Sequence, residues 1–149
     1  MKRVIVFAAL TLICCKKQET ISIPDVQKEI TTGISKSECY LGIVKNDTIH
    51  MSLTIKDSVV EGKLSYHFFE KDKNDGTLSG RMKGDTLFAA YTFQSEGKES
   101  VREVAFLKKG NTFTEGYADV EEKDNTVVFK DKSQLDFNNK TILTQTDCK

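Results

Sequence analysis

"TIHMSLTIKDSVVEGKLSYHF", residues 48–68, is the stretch that decides the fold of this chain. Apolar and polar side chains alternate with a period of two on both sides of Lys56-Asp57, a dipeptide that favours a turn. Such alternation is typical of antiparallel strands with one buried and one solvated face. The stretch therefore predicts a hairpin whose core-facing side chains are Ile49, Met51, Leu53, Ile55, Val60, Leu64, Tyr66 and Phe68.

The same alternation continues in "TLSGRMK" (77–83) and "TLFAAYTFQ" (86–94), and turn signals such as "KNDG" (73–76) separate the segments. We predict eight or nine strands, at 39–45, 48–56, 59–69, 77–83, 86–94, 100–108, 112–120, 125–130 and 134–138. Because all connections are short, strands that follow each other in sequence should pair, and closure would remove the sheet edges. The expected fold is all-β, an up-and-down antiparallel meander that closes into a small lipocalin-like barrel, with a β-sandwich as the alternative.

The N-terminus has the pattern of an export signal. Lys2 and Arg3 precede an apolar run of 10 residues, 4–13, which is shorter than the roughly 20 residues that a membrane-spanning helix needs. The following "LICC" resembles a bacterial lipobox. With Cys15 as the lipidated residue, Leu12 stands at position −3 and the small Cys14 at −1. With Cys14 in that role, the polar Thr11 and the bulky Ile13 would stand there, so Cys15 fits better.

These features divide the chain into a signal peptide (1–14), a lipidated flexible tether (15–37) and a barrel domain (38–149). Lysine rather than aspartate follows Cys15. Aspartate there retains lipoproteins in the inner membrane of enteric bacteria, so we expect a lipid anchor in the outer membrane of the cell envelope. Several acyl chains on one cysteine would hold the protein there stably.

The two remaining cysteines, Cys39 and Cys148, bracket the predicted barrel domain. An exported chain meets an oxidising compartment, and the first and last strands of a closed meander are adjacent. We therefore expect a disulfide between them, with two independent buried thiols as the alternative. No Cys-x-x-Cys spacing occurs, so we expect no metal site.

The charge balance argues against nucleic acid as a partner. The chain has 22 basic and 22 acidic residues, and loss of a leader with Lys2 and Arg3 would leave an acidic surplus. No excess of basic residues remains to neutralise phosphates.

One strand breaks the alternation and supplies the candidate binding residues. In "SVREVAF" (100–106), one register points Arg102 into the barrel and the other points Glu103 inward. A buried charge must be paired or serve a ligand. The candidate ligand-binding residues are Tyr66, Tyr91, Arg102, Glu103 and Tyr117. The alternative is an arginine that bridges strands on the outer face.

Signals for catalysis are absent from the sequence. There is no Gly-x-Ser-x-Gly elbow and no glycine-rich phosphate loop between a strand and a helix, and the spacing of the carboxylates indicates no catalytic pair. We therefore expect no enzyme activity and no cofactor.

Three Asp-Ser/Thr-apolar triplets, at 47–49, 57–59 and 85–87, fall at strand starts. They resemble the O-glycosylation sequon of exported proteins in Bacteroidetes-type bacteria, which would make Thr48, Ser58 and Thr86 acceptors. The alternative is that each aspartate caps a turn.

The stretch from Cys39 to Cys148 resembles an uncharacterised family of small envelope lipoproteins from Bacteroidetes-type bacteria. The segments that carry the resemblance are "ECYLG", "GKLSYHFFEKDKNDGTLSG", "KGDTLFAAYTFQSEGKESVREVAF" and "TEGYADV". The resemblance implies an envelope location and a lipid anchor, and it implies no activity. We therefore expect a lipid-anchored, non-catalytic binding module for a small apolar ligand or a protein partner, with a structural envelope-assembly component with a filled core as the alternative.

Overall fold

The computed structural model describes residues 35–71, 73–95 and 97–148, and the structural statements below concern those residues. They contain ten strands and one short 3-10 helix, Lys132–Gln134. The strands are β1 Lys36–Val44, β2 Asp47–Lys56, β3 Val59–His67, β4 Lys73–Lys83, β5 Thr86–Ser95, β6 Lys98–Lys109, β7 Thr112–Gly116, β8 Val120–Lys123, β9 Thr126–Phe129 and β10 Ile142–Thr146.

Eight of these strands form a closed antiparallel barrel. From β1 to β7, each strand pairs with the next one along the chain, and β10 pairs with both β7 and β1 to close the ring. The predicted meander and its closure into a barrel are confirmed. A sandwich is excluded because one continuous hydrogen-bonded ladder surrounds a single core.

The period-two pattern determines which side chains fill the barrel. Ile49 lies opposite Tyr66 and Met51 opposite Leu64, so the hairpin of β2 and β3 directs both apolar faces inward. Burying a large apolar side chain contributes about 1.5–3 kcal/mol. The core consists of one cluster formed by Tyr40, Ile49, Met51, Leu53, Val60, Leu64, Tyr66, Leu78, Leu87, Ala89, Tyr91, Val104, Phe106, Phe113 and Leu143.

The predicted turn "KNDG" (73–76) is part of β4 instead. Gly76 lies opposite Leu64 on β3 and Phe93 on β5, which makes it an interior strand residue. A Cβ atom at Gly76 would lie 2.7 Å from the ring of Tyr91. The glycine therefore leaves space for a core tyrosine. It is a strand residue and not the turn residue that the sequence predicts.

The last third of the chain differs most from the prediction. The predicted strand 112–120 ends at Gly116, and β9 lies outside the ring, where it pairs in parallel with Val101 and Arg102 of β6. The predicted strand 134–138 is wrong, since Gln134 ends the 3-10 helix and the residues after it make only the isolated bridge between Tyr117 and Asp136. The ring is completed by β10, which was not predicted.

The barrel has one short side. Strands β7 and β10 have 5 residues each, whereas the other ring strands have between 9 and 12. Between these two short strands the chain makes an excursion, residues 117–141, that contains β8, β9 and the 3-10 helix. The excursion borders the part of the wall that β7 and β10 do not reach.

The two ends of the barrel are distinguished by β1. At one end, called the Lys36 end, β1 begins and a disulfide joins Cys39 to Cys148, residues separated by 109 positions in the sequence. The predicted pairing of these cysteines is thus confirmed. At the other end, called the mouth, β1 ends at Val44 and β3 ends at His67.

The predicted signal peptide, the lipidation site Cys15 and nearly all of the predicted tether lie outside the described residues. Within the described part of the chain, no helix is long and apolar enough to span a bilayer.

Candidate functional site

Four of the five predicted ligand-binding residues lie together at the mouth. Tyr66 on β3, Tyr91 on β5 and Arg102 on β6 face the interior, and Tyr117 follows the end of β7. Together with Glu115 on β7, which was not predicted, they are called the mouth site.

Arg102 projects into the barrel between aromatic rings. Its guanidinium carbon lies 5.2 Å from the ring centroid of Tyr66, 5.5 Å from that of Tyr91 and 5.6 Å from that of Phe93. Rings within about 6 Å stabilise a cation through their negative faces. The positive charge is therefore held inside the barrel by π systems.

The rings that hold Arg102 belong to a longer aromatic row. Phe68 stacks on Tyr66 with 5.9 Å between centroids, and Phe93 stacks on Tyr91 at 4.8 Å. Tyr66 and Tyr91 connect the two pairs, with centroids 5.9 Å apart. Period-two alternation places Tyr66 on β3, and Tyr91 and Phe93 on β5, on the inner face of the barrel, with β4 between the two strands. Phe68 continues the alternation one residue beyond β3. This alternation explains why the sequence could identify the two tyrosines.

Glu115 is the buried carboxylate of the mouth site, with a side chain that is only 4% exposed. The hydroxyl of Tyr66 donates to its Oε1 at 2.7 Å, and the hydroxyl of Tyr117 donates to its Oε2 at 2.8 Å. Burial raises the pKa of Glu115, and the two hydroxyl donors and Arg102 oppose that shift only in part. The alternation of Phe113, Glu115 and Tyr117 on one face was the signal that could have identified it.

The tyrosines of the mouth site remain protonated over the physiological pH range. Burial raises the pKa of Tyr91 and of Tyr117 to about 12 in each case. Burial and the nearby Glu115 also raise the pKa of Tyr66 well above its ordinary value. Each hydroxyl therefore keeps its proton, which Tyr66 and Tyr117 donate to Glu115 and Tyr91 donates to the backbone carbonyl of Asn74.

Glu103, the fifth predicted residue, lies on the outer face of β6. Its Oε2 accepts a hydrogen bond from the backbone N–H of Phe129 at 3.2 Å, and its Oε1 pairs with Lys132 Nζ at 2.5 Å. The register that points Arg102 inward is thus the one that the chain adopts. Glu103 serves to attach β9 and the 3-10 helix to the barrel, and the structure does not bring it to the interior with the other candidates.

A cavity of about 280 Å³ opens beside the mouth site. Its walls combine apolar, aromatic and charged groups from five parts of the chain. It is lined by Val44, Asp47, Thr48, Ile49, Tyr66, Phe68, Arg102, Glu115, Tyr117 and Thr141. The centre of the barrel is filled by side chains, so this cavity lies above a packed core.

A second inward-facing polar cluster lies at the Lys36 end. Glu38, which is 2% exposed, pairs with Lys36 Nζ at 2.6 Å and with Lys108 Nζ at 2.8 Å. The hydroxyl of Tyr40 also donates to Glu38. Burial opposes ionisation, but the two lysines and the hydroxyl outweigh it and lower the pKa of Glu38 to about 2. This carboxylate is fully paired, unlike the charged groups at the mouth.

The three predicted glycosylation acceptors, Thr48, Ser58 and Thr86, are half-buried at strand starts or turns. Ser58 Oγ accepts a hydrogen bond from Arg81 at 3.2 Å. Their modification stays a prediction. Residues 35–71, 73–95 and 97–148 contain no group of three or more His, Cys, Asp or Glu side chains placed to hold a metal ion.

Comparison of the chain with protein-family models, with curated proteins and with solved structures finds no match. The resemblance to envelope lipoproteins therefore stays a prediction from the sequence.

Proposed function

We propose that this protein is a lipid-anchored lipoprotein of the outer membrane whose barrel is a non-catalytic binding module, and that a small ligand or a protein partner binds at the mouth site. The observation that carries the proposal is Arg102. Its Nε is buried and has no hydrogen-bond partner among the described residues, and leaving such a donor unpaired costs about 1–3 kcal/mol or more.

The packed core supports placing the ligand at the mouth. Leu64, Phe106 and Phe113 are fully buried in the core of the barrel, so a ligand that occupies the core would have to displace them. At the mouth, by contrast, Phe68 and Tyr117 are partly exposed and a cavity adjoins them.

A structural role in envelope assembly is the second candidate function. It is favoured by the filled core together with exposed apolar side chains on the outer surface, of which Ile43 is 67% exposed and Phe69 is 56% exposed. This role predicts no ligand at the mouth, which separates it from the first proposal.

Binding at the mouth is tested by thermal denaturation against a library of small organic anions, cations, sugars and neutral apolar molecules, and against fractionated envelope proteins. We expect at least one class to raise the Tm of the wild type and to lose that effect in Arg102→Met, because methionine keeps the apolar stem and removes the guanidinium. Arg81→Met is the matched control, since Arg81 is exposed on β4, and it should behave as wild type. If no class gives an effect that depends on Arg102, the mouth is not a binding site.

The lipid anchor is tested by labelling with radioactive palmitate in a bacterium that processes lipoproteins. We expect Cys15→Ala to abolish the label and Cys14→Ala to retain it, because alanine is a suitable small residue at position −1. The opposite result, with label lost in Cys14→Ala and kept in Cys15→Ala, would refute Cys15 as the lipidated residue.

A further inference from the structure

The donor groups of Arg102 are the most unusual feature of the mouth site. An arginine cation presents its positive charge to ring faces above and below its plane, while its N–H donors point outward within the plane. The rings of Tyr66, Tyr91 and Phe93 surround the guanidinium. No oxygen among the described residues accepts a hydrogen bond from its Nε. The described residues therefore stabilise the charge of Arg102 without satisfying all of its donors.

Glu115 is near enough to influence Arg102, but its oxygens are engaged elsewhere. Each oxygen accepts a tyrosine hydroxyl, one from Tyr66 and one from Tyr117. Among the described residues, no carboxylate forms an ion pair with Arg102 within 4.0 Å, whereas Glu38 at the Lys36 end forms two such pairs. The barrel thus contains one inward carboxylate that is neutralised by lysines and one inward cation without a carboxylate in contact.

We infer that the mouth site binds a small organic anion, a carboxylate or sulfonate attached to an aromatic or apolar group, with Arg102 as the residue that contacts the anion. This inference rests on the proposed binding function and specifies its ligand class. A planar carboxylate matches the fork of an arginine and accepts two parallel hydrogen bonds from it, and such charge-assisted bonds are about twice as strong as neutral ones.

The cavity walls supply the site for the apolar part of the ligand. Val44, Ile49 and Phe68 line the cavity together with Arg102. Phe68 is partly exposed and stacks on Tyr66, so an aromatic ligand could extend the row of rings. The cavity of about 280 Å³ is of a size for a small ligand.

A cationic ligand is disfavoured by the same geometry. The ring faces that would attract it already contact Arg102, and the positive guanidinium would repel it. Asp47 also lines the cavity, but its Oδ1 accepts a hydrogen bond from the backbone N–H of Phe69 at 2.8 Å. Both carboxylates at the mouth thus accept hydrogen bonds within the protein, whereas Nε of Arg102 is a buried donor with no partner among the described residues.

The test uses four probes that share a phenyl group and differ in charge: phenylacetate, phenylmethanesulfonate, 2-phenylethanol and 2-phenylethylamine. Binding is measured on the full chain by titration calorimetry and by amide chemical shifts. We expect both anions to bind and to shift the amide signals of the mouth residues. The alcohol should bind at least about tenfold more weakly than the anions, and the amine should not bind. Arg102→Met should reduce anion affinity at least tenfold, while Arg81→Met should leave it unchanged.

Arg102→Lys provides a second variant that keeps the charge and removes the planar fork. It should weaken phenylacetate binding while retaining the native amide spectrum, which separates loss of the fork from loss of the fold. The inference is overturned if the anions do not bind wild type at millimolar concentration, if Arg102→Met binds them equally well, or if the alcohol or amine binds as tightly. Tight, Arg102-dependent binding of a neutral or cationic compound would overturn the anion assignment and leave the proposed binding function intact.

Discussion

At the scale of single residues, the two buried carboxylates of the barrel differ in what surrounds them. Burial raises the pKa of both Glu38 and Glu115. Lys36 and Lys108 reverse that effect at Glu38, whereas Glu115 has two tyrosine hydroxyls and its pKa stays raised. The two lysines beside Glu38 therefore outweigh the effect of burial on its pKa, whereas the two neutral hydroxyls beside Glu115 do not.

Glu38 should make the stability of the fold depend on acid pH. Its pKa falls from 4.5 to about 2 on folding, so the unfolded chain binds more protons than the folded one between those values. The stabilisation is present above the unfolded pKa and is lost as the pH falls toward about 2. We expect Glu38→Gln to lower the free energy of unfolding by roughly 2–3 kcal/mol near neutral pH, measured by urea denaturation across the pH range.

The difference between wild type and Glu38→Gln should shrink as the pH approaches the folded pKa. Glu121→Gln, a change of the same kind at an exposed position on β8, should track wild type throughout. If Glu38→Gln loses as much unfolding free energy on acidification as wild type does, another group causes the acid dependence of stability.

The sequence predicted part of the mouth site because strand alternation assigns residues to faces. Tyr66, Tyr91 and Arg102 were found in this way, and the same rule applied to β7 and β1 would have found Glu115 and Glu38. Glu103 could not be placed, since "VREV" fits either register and the choice depends on Lys132 and Phe129, which are distant in sequence. Side-chain partners across the barrel are a tertiary property that periodicity does not contain.

At the scale of elements, the strands that obey strict alternation were predicted to within a few residues, and those in which glycine or short segments intervene were not. Gly76 suggests a turn in the sequence, yet it lies in a strand, where a Cβ atom would be 2.2 Å from the backbone oxygen of Thr92 and 2.7 Å from the ring of Tyr91. At the start of the excursion, Gly116 leaves room for Phe137, since a Cβ at position 116 would lie 2.5 Å from the Phe137 ring. Local sequence did not specify that β10 would return to close the ring.

The short strands determine where two residues of the mouth site lie. Because β7 and β10 are about half as long as their neighbours, Glu115 is near the end of its strand and Tyr117 lies just beyond it. The two residues that adjoin Arg102 therefore sit at a boundary between regular sheet and the excursion. Binding residues commonly occupy such boundaries, where a rigid scaffold positions a loop.

At the scale of the whole molecule, the disulfide joins the start and the end of the barrel. Cys39 on β1 and Cys148 beyond β10 are 109 positions apart in the sequence. In the chain-entropy model, a bond that closes so long a loop strongly lowers the conformational entropy of the unfolded chain. We expect the double variant Cys39→Ser/Cys148→Ser to lose about 4 kcal/mol of unfolding free energy in urea denaturation. Wild type treated with reductant should reproduce this loss, and an unchanged unfolding free energy would show that pairing of β1 with β10 alone fixes the ends.

The same bond determines the products of proteolytic cleavage. Between Cys39 and Cys148 the backbone is a covalent circle, closed by sulfur as well as by the pairing of β1 with β10. A protease that opened the excursion between β7 and β10 would convert the circle into a linear chain and release no fragment. The part of the molecule that borders the mouth can thus be nicked while every strand stays attached to β1.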